Sequence, residues 1–577
     1  MHVPMRGLVL LACLSRALAQ VTVYGQLPLG QVMANLSTTT PAAYNDTVLK
    51  DATAQGGLSV PHNGPSFYGF SIEMSVVTQL LGKNSTFIQT PFLNLMANIQ
   101  ERAGGVFVRI GGNTQEFATL VPEGDSRLQP GHTFGKVDSG STQTTKTPAV
   151  LYTRDMFFMQ NNISSLVNVK WFLGIPFNDS VNWRINIVEE GQPILGQNLL
   201  GLQAANEPDF YVSFGRRVAP YGVADYVREV GEVLQVLKSN SKVTNPNILL
   251  GPSTSLYAVT VEHYPHDNCA AMFSPGSGND VDPQALMPYY LSHTNVVQLA
   301  GGLHDHAVVS PEFQTTYTSA LWALDYGMQM ATQNTTHALL HLGGQNVFYN
   351  ASIAPPTNQT AFNQWTVGPI FYSAMVMAEA FGKTNTSQIV DLGANSNSDQ
   401  TPAYAIYESG QLSKVALFNY VDDKSGASAL TVALTLNGGV PNTVSVKCAA
   451  SVSSKTNITW AGQTFGEKLT VDGRLRGNLD VVSIACNTGE NTCRIPVPSP
   501  GFALVFFNSN DPLLTHNTLS IDWASVATSN GHNAGQLEKA LGSTSPGAVK
   551  SLAVSERVSR VVSGLAGAAV AAWTFFL

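Results

Sequence analysis

Between Pro61 and about Gly382, short apolar or β-branched runs alternate with segments of helical period, and this alternation leaves few folds open. "FVRIGG" (Phe107 to Gly112), "VKWFLGIPF" (Val169 to Phe177), "NLLGLQAANEP" (Asn198 to Pro208) and "NILLGPS" (Asn247 to Ser253) each read as a strand with a polar end. "YGVADYVREVGEVLQVLKS" (Tyr221 to Ser239) carries Val223, Tyr226, Val227, Val230, Val233, Leu234 and Leu237 at helical spacing, and "TSALWALDYGMQMAT" (Thr318 to Thr332) is a second helix. "INIVEEGQP" (Ile185 to Pro193) shows no helical period. Strand, loop and helix repeated over roughly 300 residues predict a parallel (β/α)8 TIM barrel. A doubly wound sheet is the runner-up, but no glycine-rich phosphate loop follows the first strand.

After about Thr384 the texture changes. "AYAIYESGQLSKVALFNYV", "ALTVALTLNG", "NTVSVKCAA" and "GFALVFFN" are short alternating strands with Gly, Asn and Asp between them, the pattern of an antiparallel β-sandwich. The early "VTVYGQLPLG" (Val21 to Gly30) also alternates and is expected to join this sandwich, leaving the barrel inserted between its strands. The class is therefore α/β plus all-β. The expected divisions are a leader over 1–19, an N-terminal segment over 20–60, the barrel over 61–383, the sandwich over 384–510, a flexible stalk over 511–549 and a terminal spacer with an apolar tail over 550–577.

Charged residues make up 12 % of the chain, about half the usual share, and the net charge of −8 offers no basic patch for a nucleic-acid partner. Arg6, the apolar run Gly7 to Leu14 and the small-x-small Ala17-Leu18-Ala19 read as a secretory signal removed before Gln20. So short a run cannot span the ~30 Å of a bilayer core. The ten Asn-x-Ser/Thr sequons, Asn35 to Asn457, support the same compartment. There a disulfide is expected within the cluster Cys448, Cys486 and Cys493, with its pairing left open. "HDH" (His304 to His306) lacks neighbouring partners for a metal, so no metal or cofactor is expected. Small residues Gly542 to Ser545, the spacer Lys550 to Arg560 and the apolar tail from Val561 form the pattern of a lipid (GPI) anchor signal. A single tail-anchoring helix is the rival reading.

One acid stands out. Glu207 in "GLQAANEPDFY" ends an apolar strand, between Asn206 and Pro208, in a chain poor in charge. Barrel enzymes place reactive groups at strand ends, because the loops there converge on one face. A glycosidase needs a carboxylic acid beside the scissile oxygen, and a neighbouring Asn can bind the sugar 2-hydroxyl as charge develops on the ring. The bland reading is a solvated strand-end Glu.

"FYGFSIEMS" (Phe67 to Ser75), "VFVRIGGNTQEFATL" (Val106 to Leu120), "WFLGIPFND" (Trp171 to Asp179), "NEPDFY", "EHYPHDNC" (Glu262 to Cys269), "SALWALDYGMQMA" (Ser319 to Ala331) and "GFALVFF" (Gly501 to Phe507) occur in one order. As a set they resemble the microbial β-glucuronidase family of retaining glycoside hydrolases, distant relatives of heparanase. The resemblance implies a barrel with a C-terminal β-sandwich and removal of terminal glucuronic acid, or its 4-O-methyl form, from a glycan. It implies Glu207 as the general acid/base and Asn206 as the 2-hydroxyl partner. Tyr264 corresponds to the residue that hydrogen-bonds the nucleophile, and Glu73 and Glu116 to sugar-hydroxyl ligands. Asn113, after two glycines, is a further candidate contact or a turn residue, and Trp365 is a candidate sugar platform or a core residue.

One position departs from that family. Its nucleophile is a Glu closing the seventh strand, shortly before the "ALWALDY" helix, and a retaining pair stands about 5 Å apart. Here Leu291 to Tyr326 holds no Glu-x-Asn-Ser, as if a segment were missing between about Gln298 and Ala307. The nearest acids are Asp305, one methylene shorter, and Glu312, close to the following helix. The chain as written is expected to hydrolyse glucuronides slowly at best; the alternative is an inactive, surface-anchored glycan binder.

Overall fold

The computed structural model describes residues 58–137, 148–251, 317–343, 365–421, 427–450, 458–467 and 471–515, with shorter pieces at 32–36, 260–263, 293, 296, 306–309 and 353–354. The expected leader, the stretch Val21 to Gly30, the stalk from Ser520 and the apolar tail lie outside the described residues.

Eight strands form one parallel sheet: β1 (Tyr68–Glu73), β2 (Val106–Gly111), β3 (Val169–Ile175), β4 (Leu199–Ala204), β5 (Leu249–Leu250), β6 (Thr260–His263), β7 (His306–Val309) and β8 (His337–Leu342). Their order across the sheet is β5-β4-β3-β2-β1-β8-β7-β6, so consecutive strands are neighbours except β5 and β6, and β1 also pairs with β8. That is the cyclic order of a (β/α)8 barrel. Among the described residues no pairing joins β5 to β6, so the sheet is described as parallel and barrel-ordered.

Helices lie between the strands: α1 (Thr90–Ala103), α2 (Asp155–Val167), α3 (Asn186–Leu195), α4 (Val223–Ser239), α5 (Tyr317–Thr332) and α6 (Pro369–Phe381). The helix α3 corrects the reading of "INIVEEGQP" as irregular. Its buried face is Ile187, Val188, Gly191, Gln192 and Leu195, at helical spacing. Gly191 lies against Phe157 and Leu173, where a Cβ would sit 3.2–3.3 Å from ring and methyl carbons. Gly191 and Pro193 weaken local propensity, so packing on α2 and β3 selects the helix.

The C-terminal strands are β9 (Ser387–Asp391), β10 (Ala403–Glu408), β11 (Gln411–Asn419), β12 (Leu430–Leu436), β13 (Thr443–Ala450), β14 (Val482–Ala485), β15 (Cys493–Val497) and β16 (Gly501–Phe506). Six form a sheet in the order β9-β10-β11-β16-β13-β14, and β12 and β15 form a second sheet with the early strand Val32–Leu36. That early strand pairs parallel with β12, so a segment that precedes the barrel does reach the second sheet, beyond the Val21 to Gly30 stretch expected to do so. β10 and β11 turn through Ser409 (φ 50°) and Gly410 (φ 80°), two residues with positive φ as a tight hairpin requires. Cys486 and Cys493 form a disulfide, and Cys448 stays outside it.

The period-2 alternation of β10 and β11 explains how the two units meet. Ala403, Ala405, Tyr407, Val415 and Leu417 face β12 and β15 in one core. Tyr404, Ile406, Ala416 and Phe418 belong instead to the core around the parallel sheet, with Trp322 of α5 and Phe371 of α6. Every residue of α6 is buried, including Glu379, which binds Arg102 of α1 at 2.8 Å and Lys447 of β13 at 3.1 Å. Trp365 is fully buried in the same core, which excludes it as a sugar platform.

Candidate active site

The C-terminal ends of β1, β2 and β4 bring five of the expected residues together: Glu73, Asn113, Glu116, Asn206 and Glu207. β2 ends at Gly111, and Gly112 (φ 79°) turns the chain into a short 3-10 segment, Asn113–Phe117. A Cβ on Gly112 would lie 2.2 Å from Glu73 Oε2, so only glycine lets the carboxylate of Glu73 approach this backbone. Glu73 Oε1 accepts from the Thr114 N–H at 2.9 Å and from the Thr114 hydroxyl. Its other oxygen lies 3.7 Å from His341 Nε2 at the end of β8. Burial alone would raise the Glu73 carboxyl, but His341 and Thr114 outweigh it and hold Glu73 below the usual carboxylate range.

At the end of β4 the chain bends sharply. Ala205 (φ 72°) and Glu207 (φ 47°) both occupy the left-handed region without being glycine, and Asn206 lies between them. Such conformations cost on the order of 1 kcal/mol each and persist only where the surroundings fix them. Glu116 does the fixing. One of its oxygens accepts from the Asn206 N–H at 2.8 Å and the Tyr211 hydroxyl at 2.6 Å, the other from the Phe177 N–H at 2.7 Å. Glu116 is fully buried, and burial pushes its carboxyl up despite these donors and the nearby Arg216 charge. Expected at a sugar hydroxyl, Glu116 is instead a buried acceptor whose two oxygens serve protein donors. It shapes the site from beneath.

Two side-chain amides face Glu207. Asn113 donates to Glu207 Oε2 at 2.9 Å, and its own oxygen accepts from Arg216 at 2.9 Å. Asn206 Nδ2 lies 3.4 Å from the same carboxylate oxygen, while Asn206 Oδ1 accepts from Arg109 at 2.7 Å. The two arginines thus fix both amides with their NH2 groups toward the carboxylate. Arg109 also donates to Ser71 and Gln115, and Ser71 in turn meets His341 Nδ1 at 3.0 Å. Gly174 makes room for this cluster, since a Cβ there would strike Gln115 at 1.9 Å. A partly exposed carboxylate, oriented amides and a second, ionised carboxylate at a strand end can bind a polyhydroxylated ring and exchange a proton with it.

Tyr264, Asp305 and Glu312 lie outside the described residues. Tyr264 follows the last residue of β6, Asp305 precedes the first residue of β7, and Glu312 comes three residues after its last, Val309. Sequence reasoning did not single out Arg109, Arg216, Tyr211 or His341. An Arg inside the apolar run "FVRIGG" was the visible signal for the first of these.

Residues 403–504 match the glycosyl hydrolase family 79 C-terminal beta domain. A β-glucuronidase of Aspergillus niger is 24 % identical over 517 residues, covering 76 % of this chain and 90 % of that protein. Over that length the chain is similar in sequence to a β-glucuronidase. Among solved structures, the 4-O-α-L-rhamnosyl-β-D-glucuronidase of Fusarium oxysporum superposes with a TM-score of 0.61 at 17 % identity, covering 82 % of this chain and all of that one. The GH51 arabinofuranosidase of Xanthomonas axonopodis pv. citri gives 0.52 at 10 % identity over 83 % of this chain and all of its own. These two likenesses are of fold. The chain thus shares its overall fold with these two glycoside hydrolases.

Proposed function

We propose that the chain is a β-glucuronidase-type glycoside hydrolase, secreted, that releases terminal glucuronic acid or its 4-O-methyl form from a glycan with retention of configuration. The observation that carries this reading is the arrangement at the end of β4: Glu207 faced by Asn113 and Asn206, in a relative of a β-glucuronidase. In this reading the parallel sheet closes as a barrel around the site. Glu207 protonates the departing oxygen, and Asn206 meets the sugar 2-hydroxyl. A second carboxylate attacks the anomeric carbon from the opposite face, and Glu207 then takes a proton from the water that releases the sugar. Chain order favours Glu312 for that second carboxylate, because it follows Val309, the last residue of β7, whereas Asp305 precedes the first, His306.

The alternative, a glycan-binding relative without turnover, is favoured by one observation: the absence of Glu-x-Asn-Ser between Leu291 and Tyr326. Proton NMR of a reaction with an aryl β-glucuronide separates the two. Hydrolysis with the β-anomer of the free sugar formed first supports the hydrolase. An α-anomer formed first overturns retention, and binding without any released sugar supports the alternative.

A further inference from the structure

The loop from Pro208 to Gly222 follows Glu207 directly and is hydrogen-bonded from within. Phe210 N–H donates to the Glu207 carbonyl at 3.0 Å and Phe214 N–H to the Phe210 carbonyl at 2.9 Å. Arg217 pairs with Glu229 of α4 at 2.8 Å and donates to the Phe177 carbonyl at 2.6 Å. Yet Phe210 and Phe214 remain 44 % and 50 % exposed, their ring centres 5.7 Å apart. A well-bonded loop that keeps two adjacent aromatic rings half in solvent forgoes the remainder of their burial.

The loop is also tied to the carboxylate. Arg216 lies 5.0 Å from the Phe214 ring centre and 5.3 Å from that of Tyr211, and the same guanidinium donates to Asn113, the residue that donates to Glu207. One cation therefore holds Phe214 and the Glu207 partner in fixed relation. We infer that Phe210 and Phe214 form the platform for the leaving group, an aglycone that presents a flat apolar face. This rests on the reading of Glu207 as proton donor: the oxygen it protonates belongs to the aglycone, so the aglycone lies on the loop that Glu207 opens. Aromatic rings favour such a face, which Ser or Asp at the same positions would not.

Thioglycosides, which resist hydrolysis, test this by binding alone. Titration calorimetry compares methyl, phenyl and hexosyl 1-thio-β-glucuronides. The wild-type chain is expected to bind the phenyl compound roughly tenfold more tightly than the methyl compound, and Phe214→Ser and Phe210→Ser to bring that ratio toward one. A gain with the hexosyl compound as well identifies a sugar ring as the occupant; a gain with phenyl alone identifies an aryl group. Val218→Ser, 88 % exposed on the same loop, keeps the ratio. Equal wild-type affinities for all three compounds, or a gain that survives both Phe variants, overturn the platform and leave the glucuronide reading standing. Binding of none of them removes both.

Discussion

Glu116 offsets the strain of the bend at Asn206 through three hydrogen bonds, and this is where a single substitution has the largest consequence in the site. Glu116→Ala leaves the Phe177 and Asn206 amides and the Tyr211 hydroxyl buried without their acceptor, a loss of about 2–5 kcal/mol. Tyr211→Phe removes one donor and keeps the ring, a loss of about 0.5–1.5 kcal/mol. Urea titration of both variants checks the ratio; equal losses would mean that ring packing, not the carboxylate, holds the bend. Because the fold raises the Glu116 carboxyl, its contribution is greatest at low pH and falls as pH rises out of the ordinary carboxyl range. These relations were hidden in the sequence for a physical reason. Arg109 meets Ser71 and Asn206, 38 and 97 positions away, and no local pattern records a contact of that span. The position of Glu207 was legible because it is local: an acid placed where an apolar strand stops.

Strands carry direction as well as position, and β7 uses it. The strand runs from His306 to Val309, pairing in parallel with β6 and β8, so its last residue, Val309, and those of β1 and β4, Glu73 and Ala204, share one end of the parallel sheet. Glu312→Ala is therefore expected to abolish residual hydrolysis of aryl β-glucuronides, and Asp305→Ala to spare it. Added azide should restore turnover in Glu312→Ala by occupying the vacated face, giving the α-glucuronyl azide. Loss of turnover in Asp305→Ala alone would assign the other acid. Among elements, β2 to β5, β10 to β13 and β16 were readable because β-branched and aromatic runs mark strands wherever they pack. α3 was not, since Gly191 and Pro193 are poor helix formers and its stability comes from Phe157 and Leu173.

Across the whole molecule, a buried charge cluster fastens helix α5 to the C-terminal strands. His293 lies 3.0 Å from Asp325 of α5 and 3.4 Å from Asp391 of β9, and Asp325 also accepts from Tyr404 and Tyr420. Burial alone would lower His293, but the two carboxylates outweigh it and push the imidazole up to about 10. Its stabilisation is thus fully present below the ordinary value of 6.5 and is lost as pH rises from there through about 10. His293→Leu should lower stability at pH 6 by about 3–5 kcal/mol, with the gap to wild type narrowing by pH 10. A gap that does not change with pH would assign His293 a packing role only. The junction matters because it fixes α5, the helix that follows β7 and the expected position of the second carboxylate. The central claim, however, concerns the proton. The most direct measurement is the rate of Glu207→Gln on a series of aryl β-glucuronides whose leaving phenols differ in acidity. A general acid is needed most when the departing oxygen is basic, so the loss should be large for weakly acidic phenols and small for strongly acidic ones. Equal losses across the series would contradict the assignment of Glu207 as the proton donor.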